Sequence, residues 1–191
     1  MDESKSWKLI ERKTVYDTKF MSLHEDVIEL PNGKTIDDYS VVEFHDVVII
    51  VATDENGNLV TMREYKYAVD ETMTVLPAGT IEKGEDVLVA AKRELLEETG
   101  RVAEDVTLVG VLHEYPTKAG HDVSIVRARG ARLIASTAHE ETEQIDSIDL
   151  MSPLEVRRAI VKQEFKTATI LGGIVLAMPE LFNLDGIVVE G

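Results

Sequence analysis

Seven consecutive residues, Val47-Val48-Ile49-Ile50-Val51-Ala52-Thr53, constrain the fold of this chain more than any other segment. A strand with one wet face alternates apolar and polar side chains. An unbroken β-branched run reads instead as a strand buried on both faces. Helical periodicity elsewhere supplies candidate cover. From Glu85 to Thr99, Val87, Leu88, Ala91 and Leu95 share a face, and Gly100 is the C-terminal stop. Ser152-Pro153-Leu154-Glu155 is a capping box with proline at the first helical position, so a helix is expected from there to about Gln163. A last helix over roughly Thr167–Leu181 is apolar nearly all round and is expected in the core.

The remaining segments read as strands and loops. Asn56–Gly57 turns the chain into a strand at Leu59–Tyr67, and others follow at Val106–His113, His121–Leu133 and Ile145–Leu150. Gly79–Gly84 reads as a loop, and Ser136–Glu143 as a polar, acidic one. Before residue 46 only strands are expected, with Pro31-Asn32-Gly33 as the hairpin between Met21–Leu30 and Lys34–Phe44. The expectation is an α/β protein in three parts: a small N-terminal β subdomain over 1–45, a main domain over 46–184 and a tail over 185–191.

The 191 residues are enough to bury a core without covalent staples. Cysteine is absent, which excludes a disulfide scaffold, a Cys-ligated zinc site, an iron–sulfur cluster and thiol catalysis. Asp and Glu total 36 against 20 Lys and Arg, a net charge of −16. Nucleic-acid backbones and anionic lipid surfaces repel such a chain, so neither is an expected partner. The start, MDESKSWKL, has no apolar stretch like that of a signal peptide, and Ile170–Met178 is too short an apolar run to span a bilayer. A cytoplasmic protein is expected. The acidic balance reads either as solubility or as carboxylates clustered to hold cations.

The second reading finds its place at Gly79–Arg101, GTIEKGEDVLVAAKRELLEETGR. Glu94, Glu97 and Glu98 are three and four apart, so their carboxylates project from one helix face. Such oxygen ligands suit a hard divalent cation, which keeps water and substrate phosphates as its other ligands. Arg93 lies four residues before Glu97 and is placed to bridge it, and Glu85 is expected to start the helix at its positive dipole end. A solvated acidic helix face is the plainer reading of the spacing alone. Gly79 and Gly84 have the spacing of a phosphate-binding loop, but Glu85-Asp86 replace its Lys-Ser/Thr.

The whole segment matches Gly-x5-Glu-x7-Arg-Glu-aliphatic-x-Glu-Glu-x-Gly at Gly79, Glu85, Arg93, Glu94, Leu95, Glu97, Glu98 and Gly100. Seven fixed residues coincide by chance at roughly 10⁻⁷ per window. The pattern resembles the signature of the Nudix hydrolases, except that Arg101 stands at a usually aliphatic slot. The resemblance extends to the ADP-ribose pyrophosphatase branch. Pro116 follows Gly100 by sixteen residues, Arg63-Glu64-Tyr65-Lys66-Tyr67 stands where that branch often reads Arg-Gln-Tyr-Arg-Tyr, and Glu140–Ile145 resembles its late acidic loop. Two departures bear on the substrate: Thr117-Lys118-Ala119-Gly120 replaces Ser-Pro-Gly, and Lys66 replaces an arginine.

The resemblance implies a Nudix α/β/α sandwich with a mixed sheet, plus a small N-terminal antiparallel β subdomain exchanged across a homodimer. It implies Mg2+, with Mn2+ as an alternative, held by Glu94, Glu97, Glu98, Glu143 and the carbonyl of Ala78. Arg93, Glu97 and Glu141 are the implied catalytic residues, with Glu141 the general base. Lys66, Tyr65, Arg63, Tyr115 and Pro116 are the implied substrate contacts, and Gly79, Glu85 and Gly100 frame the motif. The implied reaction is hydrolysis of the pyrophosphate of ADP-ribose or a related nucleoside diphosphate sugar, giving AMP and ribose 5-phosphate. Alternatives are another diphosphate, such as GDP-mannose or a dinucleoside polyphosphate, and a nucleotide-sugar sensor without turnover.

Overall fold

The structure, a computed structural model, describes residues 6–135 and 144–183. They fall into two compact units: one of the residues up to His45 together with His113–Asp122, the other of Asp46–Leu112 and the residues from Val123 onward.

In the first unit, β1 (Lys8–Asp17), β2 (Met21–Glu29) and β3 (Thr35–Phe44) form an antiparallel sheet in that order. The expected hairpin closes between β2 and β3. Leu30 N–H donates to the Lys34 carbonyl at 2.8 Å, and the Asn32 side chain accepts from Lys34 N–H at 3.0 Å. So small a sheet has little apolar interior, and charge laces its strands. Arg12 on β1 donates two bonds of 2.8 Å to Asp26 on β2 and a third to Glu43 on β3. Asp26 is buried, and the Arg12 bond holds its carboxyl below the usual carboxylate range despite burial. On the outer side of β3, Val42 N–H donates to the Lys118 carbonyl and the Tyr39 hydroxyl to that of Thr117. Every residue of β1 is exposed.

In the second unit the order of elements is β4 (Val47–Thr53), β5 (Leu59–Lys66), β6 (Glu71–Val75), β7 (Ala78–Thr80), α1 (Val87–Thr99), β8 (Arg101–Val102), β9 (Asp105–Leu112), β10 (Val123–Arg129), β11 (Arg132–Leu133), β12 (Ile145–Met151), α2 (Pro153–Val161) and α3 (Ala168–Ala177). The main sheet runs β12-β5-β4-β10-β9, with β4 and β10 parallel and the other pairs antiparallel. The strands β4 and β5 pair at Thr53 and Leu59 and then part. Beyond that point β5 pairs with β6, and β4 pairs with β7.

Alternate residues of β4 enter different cores, as a strand buried on both faces requires. Val48, Ile50 and Ala52 pack with Val126, Ala128 and the α1 residues Ala90, Ala91 and Leu95. Ile49 and Val51 pack with Ile125, the α2 residues Val156 and Ala159, and the α3 residues Ile170 and Ile174. This is the layered α/β/α arrangement with a mixed sheet and a separate antiparallel sheet. Packing outweighs the repulsion along α1. Fully burying one leucine such as Leu95 contributes about 1.5–3 kcal/mol, whereas each like-charged pair on the helix costs a few tenths.

The structure corrects several expected boundaries. Strands β6 and β7 were not anticipated, and β7 occupies the start of the expected loop. The long strand expected to Leu133 ends at Arg129, and Gly130, at φ +68°, turns the chain into the separate strand β11. Helix α3 ends at Ala177, and Pro179–Phe182 forms a 3-10 turn. Its apolar surround is not wholly covered, since Val175 and Leu176 are exposed by more than a third. Among the described residues no helix is long and apolar enough to cross a membrane.

Candidate active site

The motif folds as strand, loop and helix. Its strand, β7, sets Gly79 beside Val48 of β4. The helix begins two residues later than expected. Asp86 is the N-cap, its carboxylate accepting from Leu88 N–H at 2.9 Å and Val89 N–H at 3.2 Å. Asp86 before an apolar helical run was a legible cap signal. Gly100 ends α1 at φ +65°, and its carbonyl accepts from Ile134 and Ala135 N–H at 2.9 and 3.2 Å.

Glu85 precedes the helix and serves as the anchor of Arg93. The guanidinium forks onto it with two bonds of 3.0 Å. Arg93 also donates to the Thr80 carbonyl at 3.1 Å, to Glu94 at 2.6 Å and to Glu97 at 3.3 Å. One side chain thus ties β7, the loop and two helix carboxylates. The bond from Arg93, then that from Glu82 N–H, holds the Glu85 carboxyl below its usual range, and the same bond to Glu85 raises the guanidinium further still.

The three helix carboxylates differ in setting. Glu97 is half exposed. Glu98 is buried at 6% exposure, and its Oε2 accepts from Ala78 N–H at 2.9 Å. Glu94 lies against Gly79, where any Cβ would run into its carboxylate. Among the described residues no group of three or more His, Cys, Asp or Glu already encloses a metal position. In kind the donors fit a hard divalent cation: Glu94 and Glu98 are carboxylates one helical turn apart, and the bare backbone at Gly79 leaves room for one of them.

The other expected residues lie as follows. Tyr65, on β5, donates its hydroxyl to Asp70 at 2.9 Å, and this bond raises its pKa. Arg63 is turned to β6, donating to the Thr74 hydroxyl and the Thr72 carbonyl at 3.0 Å each. Lys66 pairs with Glu64 at 2.5 Å. Tyr115 and Pro116 lie in the first unit, in a turn where the Tyr115 carbonyl accepts from Lys118 N–H at 3.0 Å and Ala119 N–H at 2.8 Å. The expected base Glu141 and ligand Glu143 lie outside the described residues, as does the tail from residue 185. Thr80, Glu82 and Glu64 are partners that sequence reasoning missed. The first two act through backbone groups, which leave no mark in a sequence.

A segment of strand, loop and helix carrying an arginine-tied row of glutamates defines a class of protein, and the comparisons name it. Residues 43–169 match the NUDIX domain, and residues 7–42 match the Nucleoside diphosphate sugar hydrolase N-terminal domain. The chain belongs to the Nudix family and is a Nudix hydrolase. It is 28% identical over 149 residues to an ADP-ribose pyrophosphatase of Bacillus subtilis, covering 78% of this chain and 77% of that one. It is 30% identical over 179 residues to a methanol dehydrogenase activator of Bacillus methanolicus, covering 91% and 96%. The fold is shared with a solved ADP compounds hydrolase at a TM-score of 0.78 and 22% identity, covering 92% of this chain and 94% of that chain.

Proposed function

We propose that the chain hydrolyses the pyrophosphate of ADP-ribose or a related nucleoside diphosphate sugar, with Mg2+ or Mn2+, as a cytoplasmic homodimer. The observation that carries this reading is the placement of Glu94 against Gly79 and of Glu98 on Ala78 N–H, which sets two carboxylates together beside β7. The match of residues 7–42 to a nucleoside diphosphate sugar hydrolase domain and the likeness to ADP-ribose pyrophosphatases support the substrate class. A domain boundary near residue 45 accords with the two matched segments.

Glu94 and Glu98 would hold the cation, with Glu97, Glu143 and the Ala78 carbonyl as further ligands. Bound there, a divalent cation supplies neutralisation of phosphate charge and a lowered pKa for water. Arg93 fixes Glu94 and Glu97 in place. Glu141 takes the proton of the attacking water. The water oxygen bonds to one phosphorus as the bridging P–O bond breaks, so ADP-ribose yields AMP and ribose 5-phosphate. Lys66, Tyr65 and Arg63, all on β5, receive the substrate, and for Tyr115 and Pro116 the resemblance alone supports a substrate contact. Support for the dimer comes from β1, a wholly exposed strand at a sheet edge, with Leu9, Ile10, Val15 and Tyr16 each more than half exposed.

The test is to incubate the protein with Mg2+ and a panel of nucleoside diphosphate derivatives and to identify products by mass. ADP-ribose should be among the better substrates and give AMP and ribose 5-phosphate. Turnover of GDP-mannose or dinucleoside polyphosphates with ADP-ribose untouched contradicts the proposed substrate.

A further inference from the structure

Lys66 does not present a lone positive charge. Its ammonium donates to Glu64 Oε1 at 2.5 Å, and the Glu64 side chain is only 13% exposed while that of Lys66 is 45% exposed. On the sheet, Glu64 stands between Met73 of β6 and Ile145 of β12, both packed against the apolar core. A carboxylate in that setting needs a cation, and Lys66 supplies it. The pair is neutral in sum. One N–H of the ammonium is used, two remain, and Glu64 Oε2 has no hydrogen-bond partner among the described residues.

Such a pair receives different groups unequally. A hydroxyl can donate to the carboxylate and accept from the ammonium, satisfying both. A phosphate approaching the ammonium meets the carboxylate charge beside it, so the attraction of Lys66 is largely cancelled. We infer that Glu64 is a specificity-determining residue: paired with Lys66, it suits the site to the neutral, hydroxylated sugar of a nucleoside diphosphate sugar and against a sugar bearing a further phosphate. This rests on the substrate reading above, with Lys66 among the substrate contacts.

Glu64→Gln keeps the size and an acceptor for Lys66 while removing the charge. The experiment compares kcat/KM for ADP-ribose and for ADP-ribose 1″-phosphate in wild type, Glu64→Gln and Lys66→Gln, with thermal unfolding to verify each fold. Wild type should favour ADP-ribose. In Glu64→Gln the ratio should move about tenfold towards the phosphorylated analogue, chiefly through KM, and the effect should shrink with added salt. In Lys66→Gln, where Glu64 is left uncompensated, the ratio should move the other way, and this variant alone suffices if Glu64→Gln fails to fold. A wild type that turns over ADP-ribose, with a ratio unmoved within twofold in the folded variants, contradicts this inference alone. A wild type that turns over neither compound overturns the substrate reading and this inference with it.

Discussion

A methyl group on Gly79 would take the space that the Glu94 carboxylate fills. The Gly79→Ala variant should therefore fold, because the clash is with the end of a flexible side chain. Glu94 would have to move, and a displacement of about 1 Å at a reacting centre costs about 10²-fold. The expected outcome is an unfolding temperature close to wild type with kcat for ADP-ribose down by about that factor; unchanged kcat would show that Glu94 has no role in turnover. At this scale the sequence was informative about side chains and silent about backbone. Glu94, Glu97, Glu98, Arg93 and Glu85 were legible from the full motif and not from helical spacing alone, and Glu85 was placed at the helix start rather than before it as the anchor of Arg93. The Thr80 carbonyl and the Ala78 N–H were not legible as anchors of Arg93 and Glu98. Every residue has both groups, and only the fold selects which are used.

Helix α1 is fixed at both ends, by the Asp86 cap and by Gly100 in the left-handed region. The two ends differ in how much they tolerate change. Asp86→Ala loses the cap, at about 1 kcal/mol. Gly100→Ala meets an unfavourable φ and drives its methyl into the Ala135 backbone carbonyl, which cannot swing away as a side chain can. Urea unfolding should therefore rank Gly100→Ala as the more destabilising of the two, and the reverse ranking would contradict this account of the helix end. Elements with their own periodicity were read well: β4 is the apolar run, and α2 begins at its capping box. Strands β6 and β7 were not, because they are short, lie on either side of Pro77, and are strands only through pairing with β5 and β4. Tertiary context decides such segments, and propensity does not.

Across the whole molecule, one connection escaped sequence reading. His113–Asp122 lies between β9 and β10 of the large sheet in the chain, yet it packs in the unit of the N-terminal strands, where Val42 meets Lys118 and Phe44 stacks edge-on against His121. Nothing in the local composition announces this. The same unit carries the exposed edge strand β1 with its apolar side chains Leu9, Ile10, Val15 and Tyr16, from which the homodimer is proposed. Light scattering should then return twice the chain mass of 21.2 kDa, and 21.2 kDa itself would contradict the dimer.

The central claim is that the glutamates of α1 perform metal-dependent hydrolysis. Glu98→Gln tests it most directly, because the substitution preserves the size of a side chain buried beside Ala78 and removes its charge. The measurement is ADP-ribose turnover across a Mg2+ titration, beside thermal unfolding of the same protein. The account predicts a folded variant whose rate is lower by about 10³-fold or more and is not restored at high Mg2+. A wild-type rate at sub-saturating Mg2+ would contradict it.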